Sequence, residues 1–351
     1  MALFQTKKSI LGLDIGSYAV KAIHLDETKS GLMLRAMGVA QLPPGAIVEG
    51  NVENAEAIVA AIKSLLKSQK LKVKNVCTSI SGYAVIIKKI NLPTTTEKEL
   101  AETIDVEAEQ YIPFDISEVN VDFEILGKSQ GSQDQMDVVL VAAKKDAINA
   151  HIDLLVEAGL VPTVIDVDVF AIQNAFATNY PDVTGTVALI DIGANKLNIN
   201  VLRDNESLFT RDAPMGGARV TEEIQDRFNV EYEEAEGIKM GSVEAPDPEV
   251  ADEIVRRAVE NWVAETKRAI EFLEASYPDH PLDQIYLSGG SCRFSGLTEY
   301  MSQETGVPVT LFNPLAKVGF DLKKFDPAYI EYMTPQLAVC LGLALRMGEQ
   351  I

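Results

Sequence analysis

The sequence predicts an α/β fold built from two similar halves, and three observations support that prediction. The first is a β-hairpin pattern at residues 10–25, where an apolar run leads to Asp14, a Gly-Ser turn and a second apolar run. The second is a copy of this pattern at Asp191, 177 residues (191 − 14) farther along. The third is an apolar strand at residues 285–290 that ends in two glycines and leads into a helix. Two hairpins of one design, one in each half, indicate a duplication.

The tip of each hairpin is suited to hold a phosphate. Backbone N–H groups in a tight turn donate to phosphate oxygens, Lys21 adds a positive charge, and Asp14 can orient hydrated Mg²⁺. One such pattern alone is equally consistent with an ordinary hairpin turn. The second copy, with Asp191 followed by Gly193, favours a nucleotide held between two phosphate-binding tips.

The composition predicts a globular protein of two or more domains. The chain has 351 residues, of which 47% are hydrophobic and 24% charged, and its net charge of −21 argues against nucleic acid as a partner. Its three cysteines are widely spaced, which indicates free thiols in a reducing compartment.

No signal-peptide pattern and no run of roughly 18 apolar residues is present, so we expect a cytoplasmic protein without a membrane span. His24, His151 and His280 lie in unrelated contexts and suggest neither a metal site nor histidine-based catalysis.

Hydrophobic spacing and capping residues predict the elements before residue 161. A strand at 32–40 precedes an amphipathic helix at 54–67 that Asn54 can cap, and the predicted strands that follow are 75–81 and 84–90. Residues 91–160 have a different character and are interpreted as an inserted α+β subdomain. Its predicted parts are a helix at 97–110 with a capping arrangement at Thr96, strands at 119–126 and 136–143, a polar loop at 127–135, and a helix at 146–158 before Gly159.

The second half is predicted to continue the pattern. The chain passes through a strand at 161–165, a helix at 168–179 and a hinge at 181–185. After the second hairpin come a strand at 209–213, a mostly helical region at 220–277 with a long helix at 248–276, and a helix at 297–304. The acidic run 231–236 is interpreted as a solvated face. The apolar segment 335–346 is predicted to be a helix that packs in the core, because it is too short to span a membrane.

These glycine-bearing elements, in this order, resemble the superfamily of actin, the DnaK-type heat-shock chaperones and the sugar kinases. Residues 14–21 resemble its first phosphate motif, 190–194 the second and 287–291 the adenosine motif, while 166–176 and 335–346 fit its two connecting helices. The resemblance implies an actin-like two-lobed fold of duplicated ribonuclease-H-like domains.

Further similarity lies outside the nucleotide motifs, in residues 42–50, 107–114, 216–217 with 221–225, and 340–346. In these residues the chain is, within that superfamily, most similar to the PilM family, the cytoplasmic actin-like proteins of type IV pilus assembly. The insertion stands where PilM and FtsA carry their 1C subdomain. The implied domains are 1–90 (first-half core, 1A), 91–160 (the FtsA-like 1C insertion), 161–185 (first-half core continued), 186–212 (second-half core, 2A), 213–280 (helical 2B), 281–330 (second-half core continued) and 331–351 (a C-terminal helix on the first-half core).

The resemblance implies a site for ATP and Mg²⁺ between the halves. Asp14 and Asp191 would hold Mg²⁺ through water. The implied phosphate contacts are Gly16, Ser17, Tyr18 and Lys21 from the first half and Gly193, Ala194 and Asn195 from the second. The implied nucleoside contacts are Gly216, Gly217, Glu236, Lys239, Gly289, Gly290, Ser291 and Arg293, the last stacking on adenine. For Lys239 and Arg293 the alternative is a solvated surface charge.

One departure from the family pattern concerns hydrolysis. Relatives often place threonines after the glycine of the second phosphate motif, whereas this chain has Asn195, Lys196, Leu197 and Asn198. We therefore expect ATP binding with slow hydrolysis at most. The candidate to position an attacking water is Asp168, and its alternative role is a helix N-cap.

The resemblance also implies partners. The family binds the short cytoplasmic N-terminal tail of the inner-membrane protein PilN, which would hold this chain at the inner membrane without a span of its own. Candidate contacts are Tyr111, Ile112, Pro113 and Phe114, whose alternative role is a subdomain core. Further implied partners are other inner-membrane and motor components of the pilus, and a homodimer is left open. The expected function is thus an ATP-binding scaffold, with a small-molecule kinase or an FtsA- or MreB-like filament as rivals.

Overall fold

Two five-stranded sheets organise the molecule, and a three-stranded sheet is inserted into the first half. The computed structural model describes residues 9–129 and 134–346. The strands are β1 (Leu11–Ile15), β2 (Ala19–Thr28), β3 (Gly31–Gln41), β4 (Ile47–Val48), β5 (Asn51–Val52), β6 (Asn75–Ile80), β7 (Val85–Pro93), β8 (Val119–Lys128), β9 (Gln135–Lys144), β10 (Val161–Val167), β11 (Thr186–Ile192), β12 (Leu197–Arg203), β13 (Glu206–Ala213), β14 (Gln284–Ser288) and β15 (Val309–Leu311).

The helices surround these sheets and connect them. They are α1 (Ala55–Ser68), α2 (Glu97–Ala108), α3 (Lys145–Glu157), α4 (Asp168–Asn179), α5 (Gly217–Phe228), α6 (Tyr232–Lys239), α7 (Pro248–Ser276), α8 (Leu297–Thr305), α9 (Pro327–Met333) and α10 (Ala338–Ala344). Within the described ranges, none of these helices combines the length and the apolar character needed to cross a membrane.

The predicted duplication is confirmed by the topology. The first large sheet has the order β10-β6-β1-β2-β3 and the second β15-β14-β11-β12-β13. In each, an antiparallel hairpin is joined by parallel strands on one side. The pairing register repeats as well, because Asp14 lies opposite Lys21 and Asp191 lies opposite Asn198. The two hairpins are therefore equivalent residue by residue, with an offset of 177.

The helix starts follow the capping signals. Asn54 accepts a hydrogen bond from the N–H of Ala57 and caps α1 as predicted. At the start of α2, Thr96 and Glu99 form the reciprocal bonds of a capping box, also as predicted. Gly159 follows α3 in the left-handed region, with φ +80°. Local sequence thus defines these boundaries to within a residue or two.

The inserted sheet starts earlier in the chain than the sequence prediction placed it. Strand β7 pairs along its length with β9, and the order of this sheet is β7-β9-β8. Conversely, α3 packs on the first-half core through Leu154 and Leu155, which join the cluster of Leu11 and Ile58. We therefore propose residues 85–144 as the insertion. Of the predicted loop at 127–135, residues 130–133 lie outside the described ranges.

The C-terminal segment differs from the single helix predicted at 335–346. Residues Thr334–Leu337 form a 3₁₀ turn, α10 ends at Ala344, and residues 347–351 lie outside the described ranges. The prediction that this segment packs in the core is confirmed, since α10 is buried along its length. Helices α4 and α10 share one hydrophobic cluster with residues of both large sheets, so this cluster joins the two halves.

Candidate functional site

The tip of the first hairpin carries a buried ion pair. Lys21 Nζ donates to Asp14 Oδ2 at 2.7 Å, because the register of β1 and β2 places the two residues directly opposite each other. Burial by itself would lower the pKa of Lys21, but the charge and hydrogen bond of Asp14 outweigh it, and the pKa lies above its ordinary value. Lys21 is therefore a fixed cation at this tip.

The tip of the second hairpin faces the first. Burial raises the pKa of Asp191, and the carboxylate accepts a 2.7 Å hydrogen bond from Ser288 Oγ. Lys21 lowers this pKa, whereas Asp14 raises it, so both groups of the first tip act on the Asp191 carboxylate. The structure thus brings the two predicted aspartates and the predicted lysine to one cleft. Both tips also have the same turn geometry. In the first tip, the N–H of Gly16 donates to the carbonyl of Ala19 at 3.1 Å.

Asn198 is the second-half equivalent of Lys21, and its side chain is poised for a ligand. It is 2% exposed, and among the described residues neither its amide nitrogen nor its amide oxygen has a hydrogen-bond partner. It lies between Asp191 and Asp212 across strands β11, β12 and β13. A buried, unpartnered amide beside two carboxylates fits the water shell of a bound cation or a phosphate. The site therefore fits a nucleotide with Mg²⁺.

Asp168 does not serve as a helix N-cap, so that alternative is wrong. The cap position of α4 is Val167, and Asp168 is the first helical residue. Its carboxylate instead accepts from Lys196 Nζ at 2.5 Å and from Ser79 Oγ at 2.5 Å. Burial would raise the pKa of Asp168, but Lys196 and the hydrogen bonds outweigh it and hold the pKa below its ordinary value.

The glycine pair of the adenosine motif lies directly under the second tip. Gly289 has φ +94°, and a Cβ there would lie 2.3 Å from the carbonyl oxygen of Ile192. Only glycine fits this close approach of backbone to backbone. Ser291 Oγ donates to the carbonyl of Gly193 at 3.0 Å, while Gly290 opens the 3₁₀ turn Gly290–Arg293. The predicted second phosphate motif and adenosine motif are thus in direct contact.

The start of α5 joins the same surface. The N–H of Gly217 donates to the carbonyl of Gly193 at 3.0 Å, and the N–H of Ala218 donates to that of Ala194 at 2.8 Å. Gly216 precedes this helix as its cap residue, and Asn195 lies in the turn that follows Ala194.

Lys239 is partly buried, which excludes the alternative of a solvated surface charge. Its side chain is 9% exposed and forms an ion pair with Glu236. The ammonium also donates to Thr221 Oγ1 at 2.8 Å and to the carbonyl of Gly217 at 3.3 Å. Burial lowers the pKa of Lys239 although Glu236 opposes that shift. The structure therefore ties the predicted Glu236–Lys239 segment to the predicted Gly216-Gly217 turn.

Arg293 stacks on an aromatic ring. Its guanidinium lies 4.1 Å from the ring centroid of Tyr332, and Nη1 donates to the Tyr332 carbonyl at 3.4 Å. Burial raises the pKa of Tyr18, and the neighbouring charges of Glu236 and Arg293 also act on it. Tyr18 comes from the first half, whereas Glu236 and Arg293 come from the second, so this group joins the two halves.

The predicted partner segment contributes to the core of the insertion. Ile112 is buried in the hydrophobic cluster of the three-stranded sheet, and Tyr111 and Phe114 pack against that cluster while partly exposed. Pro113 is exposed, and Lys144 Nζ lies 4.5 Å from the Phe114 ring centroid. The segment is thus mainly part of the subdomain core, and Tyr111 and Phe114 remain partly exposed.

Three residues of the site were missed by the sequence prediction. Asn198 was noted only within the departure from the family pattern, and its place in the site could have been found by adding the 177-residue offset to Lys21. Lys196 was noted only as a departure from a family pattern, because its partner Asp168 is on another element. Tyr332 has no local signal, since its contact with Arg293 joins residues 39 apart.

Comparisons with known proteins agree with this architecture. Residues 12–348 match the family model described as "Type IV pilus assembly protein PilM". The chain has a TM-score of 0.86 and 31% identity to a chain of the solved PilM–PilN type IV pilus biogenesis complex, covering 97% of this chain and 98% of that one. MreB5 of Spiroplasma citri bound to ADP has a TM-score of 0.53 at 12% identity, covering 97% and 96% of the two chains, and shares the fold.

Curated relatives extend the similarity to a division protein. The cell division protein FtsA of Streptococcus pneumoniae serotype 2 (strain D39 / NCTC 7466) is 24% identical, with 86% of this chain and 75% of FtsA covered. FtsA of Enterococcus hirae is 20% identical, with 87% and 78% covered. These sequence relatives, the shared fold and the family match lead to one conclusion. The chain belongs to the PilM family of type IV pilus assembly proteins, within the actin-like ATPase superfamily.

Proposed function

We propose that this protein is an actin-like scaffold that binds ATP and Mg²⁺ in its cleft and binds the cytoplasmic N-terminal tail of a PilN-type protein. The observation that carries the proposal is the convergence of two equivalent hairpin tips, with Asp14 and Lys21 on one side and Asp191 on the other. The similarity to the PilM–PilN complex supports the partner. Attachment to the inner membrane would follow from binding PilN.

In this proposal the two halves divide the nucleotide between them. Asp14 and Asp191 would hold hydrated Mg²⁺, which supplies charge neutralisation for the phosphates. Lys21 and the turn amides of Gly16, Ser17 and Tyr18 would contact the phosphates from the first half. Asn198 and the turn Gly193, Ala194 and Asn195 would contact them from the second half. Gly216, Gly217, Glu236, Lys239, Gly289, Gly290, Ser291 and Arg293 would surround the nucleoside.

Hydrolysis would be slow because the candidate water-positioning group is already engaged. An attacking water is oriented by a side-chain acceptor beside the terminal phosphate, and the candidate acceptor here is the Asp168 carboxylate. Asp168 accepts from Lys196 and Ser79, and burial strengthens the ion pair. Release of Asp168 would require Lys196 to move, and a phosphate is the anion that would compete for it.

The tail would bind as an extended apolar segment in the groove between the insertion and the first-half core. Strands β7 and β8 are the edges of the three-stranded sheet, so each offers unpaired backbone groups for added pairing. The partly exposed rings of Tyr111 and Phe114 offer apolar contact area nearby. The insertion would then be the element that binds the partner.

A contact between the cleft and the insertion supports coupling of the two sites. The connection from β6 to β7 passes Ser81, which lowers the pKa of Asp168, and Gly82, whose backbone lowers the pKa of Asp212. The same Asp168 carboxylate forms the ion pair with Lys196. A rearrangement of that ion pair would therefore act directly on the hinge of the insertion.

The nucleotide part of the proposal is tested by calorimetric titration of the full chain with ATP, with and without Mg²⁺. We expect saturable one-to-one binding that Mg²⁺ strengthens about tenfold or more. Asp14→Asn should remove the Mg²⁺ dependence, whereas the exposed control Asp279→Asn should keep it. Absence of ATP binding by the wild-type chain would overturn the proposal. Transfer of the phosphate to an added acceptor would instead favour the kinase.

A further inference from the structure

A pocket on the first half gathers positive charge in an otherwise acidic molecule. Residues 63–74 contain five lysines, no arginine and no acidic residue, although the whole chain has a net charge of −21. All five lysines are exposed and line a pocket of about 380 Å³; they are Lys63, Lys67, Lys70, Lys72 and Lys74. We name this surface the lysine pocket.

Most of these ammonium groups have no partner within the protein. Lys74 Nζ donates to the carbonyl of Gly159 at 3.0 Å. Among the residues that the structure describes, the other four lysine side chains form no ion pair and donate no hydrogen bond. Helices α1 and α3 both end beside the pocket, and each helix end carries about half a negative charge. These two ends balance about one lysine, so roughly four positive charges remain for a ligand.

One of the lysines occupies a backbone position that favours glycine. Lys70 follows the cap residue of α1 with φ +52°. The N–H of Leu71 donates to the carbonyl of Leu66 at 2.9 Å, which is the longer of the two bonds of a Schellman motif. Glycine at this position of the motif avoids the steric cost that a side chain carries. Lysine is therefore not the residue that helix termination favours, and its charge is what it adds to the surface.

The lysine pocket lies at the end of the first-half sheet that is opposite the cleft. Strand β10 runs parallel to β6, and Val161 pairs with Asn75 at the start of both strands. Lys74 and Ala158 of the pocket lie just before these starts, whereas Asp168 follows the end of β10. The 7 residues of β10 span roughly 20 Å, which is about twice the screening length at physiological salt. The pocket is therefore separate from the nucleotide site, and the cleft carboxylates do not neutralise it.

Apolar side chains form the floor and one edge of the pocket. Leu66, Leu71 and Val73 are partly buried and line the floor. Val161 is 51% exposed, and its N–H donates to the carbonyl of Lys74 at 2.8 Å, so it lies beside the lysines. Clustered lysines beside exposed apolar groups suit the surface of an anionic bilayer, where phosphates meet the charges and the glycerol region meets the apolar groups.

The use of lysine also favours a lipid surface over a folded acidic partner. A lysine ammonium is a point charge on a flexible stem, whereas arginine pairs with a carboxylate in a fixed bidentate geometry. Phospholipid headgroups diffuse and present their phosphates at no fixed position, so flexible point charges suit them. A carboxylate held in one place would be matched better by arginine, which residues 63–74 lack.

We propose that the lysine pocket binds the anionic phospholipid surface of a membrane directly. Each lysine beside such a surface strengthens binding about fivefold. The rest of the chain has a formal charge of −26 (−21 − 5), which repels the same surface wherever it comes within the screening length. The contact is therefore weak and reversible, with the pocket toward the lipid and the cleft away from it. It requires neither nucleotide nor a PilN tail.

The test is co-sedimentation of the full chain with lipid vesicles. The anionic vesicles are an equal mixture of phosphatidylcholine and phosphatidylglycerol, and the neutral vesicles are phosphatidylcholine alone. At roughly 0.1 M salt we expect saturable binding to the anionic vesicles and at least about tenfold weaker binding to the neutral ones. Salt at about 0.5 M should release the protein. A wild-type chain that stays in the supernatant with both kinds of vesicle would overturn the proposal.

Charge removal locates the contact. Lys67→Gln with Lys72→Gln should weaken binding to anionic vesicles about 25-fold, because two contributions are lost. The control Lys98→Gln with Arg227→Gln removes as many charges at exposed positions outside the pocket and should bind like the wild type. Equal losses in the two double variants would show that only the net charge matters, and the assignment to this pocket would be wrong.

Lys70→Gly separates the charge from the fold. Glycine suits the left-handed position, so this variant should unfold at the same denaturant concentration as the wild type or at a higher one. Its affinity for anionic vesicles should nevertheless fall about fivefold. Undiminished vesicle binding by the folded variant would contradict a lipid contact at this pocket.

An acidic protein ligand would give a different result. In that case the wild-type chain would ignore anionic vesicles but bind a polyglutamate peptide, and Lys67→Gln with Lys72→Gln would lose the peptide. That outcome would overturn the lipid proposal and assign the lysine pocket to an acidic protein segment.

Discussion

The partly buried position of Asp191 disfavours the negative charge of its ionised carboxylate. Burial raises its pKa, and the nearby carboxylates of Asp14 and Asp168 add to the shift. A carboxyl group whose pKa is raised on folding stabilises the fold below its unfolded pKa and loses that contribution as the pH rises through the folded value. Ionisation of Asp191 therefore costs stability, which a bound cation would recover.

We predict that Asp191→Asn stabilises the protein and weakens its binding of Mg-ATP. The amide keeps an acceptor for Ser288 but removes the buried charge, so the free energy of unfolding at pH 7 should rise by about 1 kcal/mol. Denaturant unfolding measures this change, and titration should show at least about a tenfold loss of Mg-ATP affinity. Asp279→Asn, at an exposed position, is the matched control. A destabilised Asp191→Asn variant would contradict this account.

The Lys196–Asp168 pair has the opposite effect on stability. The Lys196 side chain is 31% exposed and that of Asp168 is 12% exposed, so solvent screens the pair in part. Removal of the lysine leaves the Asp168 charge uncompensated, so Lys196→Met should lower the free energy of unfolding by about 2 kcal/mol at pH 7. Lys196→Met with Asp168→Asn should recover much of that loss. If the double variant is no more stable than the single one, the two side chains do not interact in solution.

The pH dependence of this pair has a definite sign. The pKa of Asp168 is lowered on folding, so its contribution is fully present above about pH 3.9, the unfolded value, and is lost as the pH falls through the folded pKa. In Lys196→Met the burial contribution remains and the pKa of Asp168 should rise instead. The difference in unfolding free energy between the two proteins should therefore grow from about pH 4 to pH 7. A constant difference would show that the ion pair is not its cause.

At the residue scale, contacts within one short motif could be predicted from the sequence. Asp14 and Lys21 are seven residues apart on one hairpin, and their pairing follows from the strand register. The Lys196–Asp168 contact could not be predicted in that way, because it joins a hairpin turn to the start of a helix in the other half. Only the packing of the two halves brings these groups together.

At the scale of elements, α4 and α10 cross with their backbones in close contact. A Cβ on Gly342 would lie 1.7 Å from the carbonyl oxygen of Ala171. The two helices share the hydrophobic cluster that joins the halves, so neither can move without opening it.

We predict that Gly342→Ala destabilises the protein by about 3 kcal/mol, because overpacking forces the two helices apart. Thermal and denaturant unfolding measure the loss. The variant should also bind Mg-ATP less well, because α4 carries Asp168 into the cleft. Stability equal to that of the wild type would show that the helices can separate at little cost.

Elements with strong local signals were predicted well, and those defined by tertiary contacts were not. The caps of α1 and α2 were read from Asn54 and Thr96. The partner of β7 was not evident, because a half-buried strand can join either neighbouring sheet and its pairing with β9 spans the whole insertion. The 3₁₀ turn before α10 was also missed, since its apolar residues continue the helical pattern.

At the scale of the whole molecule, the duplicated topology explains why the cleft lies where it does. The two large sheets have one strand order, and each hairpin tip occupies the equivalent position in its half. The shared cluster around α4 and α10 holds the halves together, and the connection at Ser81 and Gly82 links the cleft to the insertion. In the proposed function, this arrangement would give the nucleotide and the partner tail a common mechanical element.

The central claim is that the molecule binds a PilN tail in a manner that depends on nucleotide. The most direct measurement is calorimetric titration of the full chain with a synthetic peptide of the N-terminal tail of PilN, with and without saturating Mg-ATP. We predict saturable one-to-one binding whose affinity changes by about fivefold or more when Mg-ATP is present. Equal affinities in the two conditions would contradict the coupling, and no binding in either condition would contradict the scaffold.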